Sequence, residues 1–424
     1  MRTLVLITSN YPFGTGEPFL ESEFPIISRE FEKTIIFSQN TKSKSRRDLP
    51  ENVIVFRYNT STSVRGFLNL PGLLLSDLSV ISEIYRDEKK FRNEKKINFS
   101  FRQKQFLLKK IIKALQFRDF INLKLKKLKI DSDIVFYSYW LNSGAHAAAM
   151  LSCKNSISIT RAHGHDLYEE RNSLRYLPML NFLSVKMNSI FFISEHGKKY
   201  FMERTGSAST RLTVSYLGVK TPESVNFDKT DNDTFTIVSC SNLSPLKRVG
   251  LIIESLAKIN PDRKIKWLHF GEGTLRNELE ALAEIRLRPK KNISYEFKGQ
   301  LKNNEILGFY SKNKVDLFLN TSSAEGIPVS IMEAQSYGTP VIATDTGGVS
   351  ELVVVGTGFL LQADFNPEDL AGRINYFLNM SKDEVKKIRE KAYQNQKNKF
   401  DADTNYRDFI KKVNSIFESS IKQL

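Results

Sequence analysis

Two glutamates, Glu325 and Glu333, bracket the stretch EGIPVSIME, and Gly338, Thr339, Pro340 and the pair Gly347-Gly348 follow it. Carboxylates accept hydrogen bonds from neighbouring hydroxyls, so two of them held in one place could grip a polyol. The residues before them, VDLFLNT, read as a buried strand, and 322–327 as a strand-to-helix loop. Pro328 suits the first helical position, where its missing N–H costs nothing. Gly338-Thr339-Pro340 stops the helix near Tyr337. Glu325 then sits in the loop, and Glu333 lies about 7.5 Å further along the helix at ~1.5 Å per residue. The amides of Gly326, Ile327, Val329 and Ser330 are left free at the positive end of the helix, which makes an anion site. A ligand with a phosphate in the middle and hydroxyl-rich rings at both ends would suit these groups.

Three other loops carry compatible residues. SCSNLSPLKRVG puts Asn242, Lys247 and Arg248 between a strand and a helix, where Lys247 would be a point charge for a diphosphate. HFGEGTL has Gly271 and Gly273 at a strand-to-helix turn, and FKGQL has Gly299 at a strand end; glycine lets backbone approach a ligand closely. Nearer the N-terminus, YPFGTGE holds Gly14 and Gly16, whose amides could face a ligand. TRAHGHDLYEE holds His163, His165 and Asp166, the last equally able to cap a helix.

Positioning such loops requires strands alternating with helices. Apolar runs at 2–9, 33–40, 52–59, 133–140, 156–164, 189–195 and 211–219 are separated by helical spacing, as in parallel βαβ units. The helix over 18–31 carries Pro25, which could end it early. A polar stretch without periodicity, 221–233, reads as a linker. The alternation restarts with strands at 235–241, 265–271, 293–299, 315–321 and 340–345, then helices. The expected architecture is α/β: a first Rossmann-like domain over 1–220 with a basic helical insertion at about 65–130, and a second over 234–395. A helical segment, 396–424, is free to cross back to the first. Ligands of doubly wound sheets bind beyond the carboxyl ends of the strands, so the default site is a cleft between two such domains.

The 424 residues, 41% hydrophobic, suffice for two domains without staples. Cys153 and Cys240 match no metal or redox spacing and read as reduced. No stretch reaches the roughly 18 apolar residues of a membrane helix. The net charge of +16 is concentrated in 86–130, where sixteen Lys/Arg face four Asp/Glu. Such a surface attracts phosphates, of nucleic acid or of anionic lipid. Within it, Leu107, Ile111, Leu115 and Ile121 are bordered by lysines. Two readings stay open: an interfacial helix on an anionic membrane, or a helix packed on the first sheet.

The segment 234–371, and more loosely the whole chain, resembles family 4 glycosyltransferases of the GT-B fold, on the strength of the Glu325–Glu333 stretch, Lys247 and the His-Gly-x-Asp segment at 163–166. The resemblance implies a retaining transferase that moves a hexose from a nucleoside diphosphate sugar to a glycan or lipid-linked saccharide in bacterial surface polysaccharide synthesis. Glu325 would contact the transferred sugar, Glu333 the ribose hydroxyls, Lys247 the phosphates, and His163 the sugar and acceptor, with His165 a variable position. Asn242 stands where the family has a phosphate-binding arginine, and Arg248 is the candidate replacement. Neither metal nor cofactor is implied; the triplets Asp131-Ser-Asp133 and Asp401-Ala-Asp403 do not follow cleft loops. The expected location is the cytoplasm, with peripheral attachment to the inner face of the membrane. A nucleotide-sugar epimerase shares this fold, and a non-enzymatic nucleic-acid-binding protein would account for the charge. The latter leaves the glutamate stretch unexplained, and no RNA-binding aromatic motif is visible. A glycan phosphorylase would need a longer chain and a pyridoxal phosphate lysine.

Overall fold

A computed structural model of the chain describes residues 2–14, 16–39, 43, 45–58, 77–208, 210–227 and 234–422. The start of the basic insertion, 65–76, and the second half of the expected linker, 228–233, lie outside the described residues. The chain divides into two compact units: Met1–Ser215 with Tyr406–Leu424, and Tyr216–Asn405. The division thus falls five residues before the boundary expected from the sequence, and the last helix returns to the first unit.

Among the described residues, the first unit holds seven parallel strands: β1 (Thr3–Thr8), β2 (Lys33–Ser38), β3 (Val53–Arg57), β4 (Ser132–Ser138), β5 (Lys154–Ala162), β6 (Ser189–Phe192) and β7 (Leu212–Val214). Their order is β3-β2-β1-β4-β5-β6-β7. Chain order reverses between β1 and β4, so the loops following those two strands part there and leave room for a ligand. Alternate side chains of β1 point to opposite faces, as strand geometry demands. Val5 and Ile7 join one core, with Leu107, Ile111, Leu115 and Ile121. Leu4 and Leu6 join the other, with Phe24, Ile27 and, from the C-terminal helix, Phe409, Ile410, Val413 and Phe417. Residues 215–219, expected to end a strand, lie beyond β7; Val219 instead bridges to Asp401.

The helix Leu20–Ser28 runs through Pro25 rather than stopping at it. The helix Phe101–Lys127 begins at Ser100, which accepts from Gln103 N at 3.3 Å while Gln103 Oε1 accepts from Ser100 N at 3.1 Å. Its apolar residues Leu107, Ile111, Leu115 and Ile121 are wholly buried. The sequence left these available to a bilayer; the structure spends them on the first unit's core. Only the outer face, with Arg102, Lys109, Lys126 and Lys127 exposed, remains for an anionic surface. Among the described residues, no helix is long and apolar enough to cross a membrane.

The second unit's described residues form six parallel strands: β8 (Thr234–Cys240), β9 (Lys264–Phe270), β10 (Ile293–Phe297), β11 (Leu317–Asn320), β12 (Val341–Thr344) and β13 (Gly358–Leu361). The order is β10-β9-β8-β11-β12-β13, with the reversal between β8 and β11. Near-continuous apolar strands such as LFLN and VIAT are what a parallel sheet covered on both faces requires.

Candidate functional site

In the second unit the loops after β8 and β11 flank the reversal point, and these loops carry Lys247 and Glu325. Backbone ties hold them together. Ser323 N donates to Leu246 O at 2.8 Å, and Thr321 Oγ1 to Lys247 O at 3.0 Å. Lys247 ends a short 3-10 turn, Pro245–Lys247, and its Nζ lies 2.6 Å from Glu325 Oε1. Asn320 Nδ2 approaches the same oxygen at 3.4 Å. The pair is largely but not wholly covered, with side-chain exposures of 21% and 11%.

The glycine pair behind the loop explains itself here. Gly347, with φ +59°, packs so closely that a Cβ would stand 2.0 Å from the Glu325 carbonyl oxygen. Gly348 N donates to Gly326 O at 2.7 Å. The helix runs Val329–Ser336, so Pro328 is its N-cap rather than its first residue. Tyr337 caps the other end, and Gly338, at φ +69°, donates to Gln335 O at 2.8 Å. Gly326 and Ile327 are buried at the mouth of the helix, and Val329, half-buried, begins the turn whose amides lack intrahelical acceptors.

Glu333 is buried on this helix, and its Oε1 accepts from Asn303 Nδ2. Burial pushes the carboxyl up to about 7, against the pull of that hydrogen bond. The neighbouring Cys240 thiol is pushed up to about 12, first by burial and then by Glu333, which leaves it unreactive.

Several expectations are corrected by geometry. Arg248 does not replace the missing arginine charge at Asn242. It adopts a left-handed conformation, φ +48°, and donates to Thr321 O at 2.8 Å, Ala363 O at 2.7 Å and Thr344 Oγ1 at 3.1 Å. Its guanidinium ties three loops, while Asn242 is exposed. Gly271 and Gly273 permit close approach, but of neighbouring backbone. A Cβ would meet Ser241 O at 1.9 Å and Leu243 O at 2.2 Å respectively. Gly299, at φ +73°, accepts from Gly271 N at 2.8 Å. These glycines thus assemble the loop edge.

The first unit gathers its own set. Gly14, at φ +62°, donates its amide to Ser45 O at 3.0 Å and so does not offer the free amide expected, while Gly16 packs on the Asn10 side chain. The amides after β1 are instead taken by Glu17, which the sequence reading passed over. Its carboxylate accepts from Ser9 N and Asn10 N at 2.7 Å each, and from Tyr11 N and Trp140 Nε1 at 2.5 Å each. Asp166 accepts from Leu141 N and His163 N, both at 2.6 Å, which is the capping role left open by the sequence. Burial pushes Asp166 up to about 7 in spite of these donors. His163 is buried against Tyr139 and Trp140, with ring centroids 4.8 and 4.5 Å away. Neither ring nitrogen has a hydrogen-bond partner, and burial, reinforced by Arg161, holds the imidazole well below its usual range and so neutral. His165 is exposed.

Also missed were Asn303, Asn320 and the buried pair of Glu23 and Arg161. Glu17 alone had a signal, an acid directly after the GTG turn. Asn303, Glu23 and Arg161 contact partners remote in sequence, and Asn320 meets Glu325 five residues on. The two Asp-x-Asp triplets serve local structure: Asp133 accepts from Ser132 Oγ at 3.0 Å, and Asp401 from Thr404 N at 3.0 Å.

Residues 221–398 match the family of glycosyl transferases group 1. A glycosyltransferase of Methanocaldococcus jannaschii is 26% identical over 251 residues, covering 58% of this chain and 66% of its own length. The O-antigen biosynthesis glycosyltransferase WbnH of Escherichia coli is 26% identical over 279 residues, 65% of this chain and 75% of its own. Anabaena Alr3699/HepE, solved with UDP and glucose, superposes with a TM-score of 0.63 at 18% identity, covering 97% of this chain and 99% of its own. The two parallel sheets are those of the GT-B fold.

Proposed function

We propose that this chain is a glycosyltransferase of the group 1 kind that moves a hexose from a nucleoside diphosphate sugar to a glycan or lipid-linked saccharide with retention at the anomeric carbon. The observation that carries the reading is the Lys247–Glu325 pair, 2.6 Å apart at the reversal point of the second sheet and beside the start of the helix Val329–Ser336. In this reading Lys247 turns from Glu325 to the diphosphate, aided by the helix amides, and Glu325 turns to the hydroxyls of the sugar. The bond from the anomeric carbon to the diphosphate oxygen breaks. The acceptor oxygen bonds to that carbon on the same face, and its proton passes to the departing oxygen. The charge on the leaving group is met by Lys247 and the amides, so the scheme needs neither metal nor cofactor. His163, held neutral, contributes a hydrogen bond to the sugar or acceptor rather than a charge.

Surface polysaccharide synthesis is the setting that the O-antigen relative supports. Thermal shift against a panel of UDP and GDP sugars, with a polynucleotide as control, tests the reading. Stabilisation by one nucleoside diphosphate class, followed by turnover of its sugar, is expected. A shift with the polynucleotide alone would overturn it. In the same assay Glu333 supplies a pH signature. Its ionised form accepts from ribose hydroxyls, so affinity should fall as pH drops below about 7. Glu333→Gln should bind more weakly, with a flat profile.

The protein would work in the cytoplasm, attached peripherally to the inner face of the membrane through the outer face of the helix Phe101–Lys127. Because that helix's apolar side is buried, attachment would rest on charge. Binding to vesicles containing anionic lipid should therefore vanish at about 1 M salt, where the screening length is roughly 3 Å. Binding that survives such salt would contradict this.

A further inference from the structure

The reversal point of the first sheet, between β1 and β4, opens into a pocket of about 360 Å³. Ser9, Asn10 and Glu17 come from the loop after β1, and Trp140 and Asn142 from the loop after β4. One wall belongs to the basic insertion: Phe106 and Lys110, one helical turn apart on the helix Phe101–Lys127. Phe106 and Trp140 offer aromatic surface to a sugar ring.

The two carboxylates that line this pocket, Glu17 and Asp166, already have their partners. Glu17 is saturated by four N–H donors, as described above. Asp166 is bound to two amides and pushed up to about 7 by burial. Lys110, by contrast, has no carboxylate partner among the described residues, and its Nζ lies 5.1 Å from the Phe106 ring centroid. Burial, and then the neighbouring charges of Lys113 and Lys109, hold its pKa below the usual value. Beside it stands His146, 3% exposed, on the helix Ser143–Ala148. Neither of its ring nitrogens makes a well-formed hydrogen bond, the Pro178 carbonyl being the polar group they face. An unpaired ammonium and an unsatisfied buried imidazole line one cavity with aromatic surface. Such groups are costly to bury without a partner, and an anion would supply one.

We propose that this pocket binds an acidic saccharide, its ring against Trp140 and Phe106 and its carboxylate or phosphate at Lys110 and His146. The proposal rests on the transferase reading above and narrows the acceptor to sugars bearing an anionic group. Acidic and neutral acceptors are thus told apart by the insertion helix rather than by the loops of the sheet.

The full chain is titrated with methyl glucuronide, glucose 6-phosphate and methyl glucoside, and binding is followed by ligand-observed NMR. At least one acidic sugar should bind about tenfold or more tightly than methyl glucoside, the equivalent of one partly covered charge pair. Preference for the glucuronide identifies a uronic acid, and preference for the phosphate a phosphorylated sugar. Lys110→Met should remove the preference and Lys110→Arg should keep it. UDP-induced thermal shift, read on the same Lys110→Met sample, should match the wild-type and so reports on fold and donor site. Equal binding of acidic and neutral sugars, or a preference that survives Lys110→Met, overturns the proposal. Failure of both UDP and GDP to shift the wild-type would instead remove the donor reading while leaving the sugar preference on the first unit measurable.

Discussion

Glu325→Gln should lower kcat by about 10²–10³-fold, the range for removing one preorganised electrostatic contact, while nucleotide affinity stays within a few-fold of wild-type. In the structure Glu325 Oε1 is held by Lys247 at 2.6 Å and Asn320 at 3.4 Å. Neutralising it releases Lys247, which then remains available to the diphosphate, so binding has no reason to fail. The loss should appear in kcat because the contact to the sugar matters most as the anomeric bond breaks. Steady-state turnover and calorimetric nucleotide titration on one preparation separate the two effects. Full turnover by Glu325→Gln would remove the residue from the chemistry.

Glu23→Ala should cost the first unit about 3–5 kcal/mol, the penalty for leaving a buried charge without its partner. Arg161 Nη1 lies 2.6 Å from Glu23 Oε2, and both side chains are wholly buried. Tyr137 OH donates to Glu23 Oε1 at 3.1 Å, and the Arg161 guanidinium stacks 4.4 Å from the Phe409 ring centroid. Two further nitrogens of Arg161 already lack partners, so the site has no slack to absorb the loss. Calorimetry should show one transition moving down and the other unmoved. Replacing both residues by apolar ones of similar volume, Glu23→Leu with Arg161→Met, should recover most of the stability. An unchanged thermogram for Glu23→Ala would contradict the account.

Much of the fold was legible because parallel strands are written as short apolar runs, and LVLIT, FTIVSC and VIAT could hardly be anything else. Glu325 and Glu333 were legible for a different reason: turn residues on both sides fix where the helix begins and ends. What was not legible depended on which partner a residue meets. Gly271 and Gly273 announce close approach in sequence, but only the register of the loops shows that Ser241 and Leu243 do the approaching. Arg248 looks like a phosphate ligand until the carbonyls of Thr321 and Ala363 are placed around it. The helix Phe101–Lys127 has an apolar stripe that suits a bilayer and a protein core alike, and periodicity cannot choose between them. Glu23 and Arg161 stand 138 residues apart, beyond any local pattern.

The return of the C-terminal helix bears on how the molecule is made. Phe409, Ile410, Val413 and Phe417 complete a face of the sheet whose strands were synthesised first. At ~5–20 residues per second on the ribosome, the roughly 200 intervening residues take on the order of ten seconds or more to emerge. The later-synthesised sheet can close while the earlier one still waits with an apolar face uncovered. The nascent chain therefore offers chaperones a client surface on its leading half until its last residues emerge.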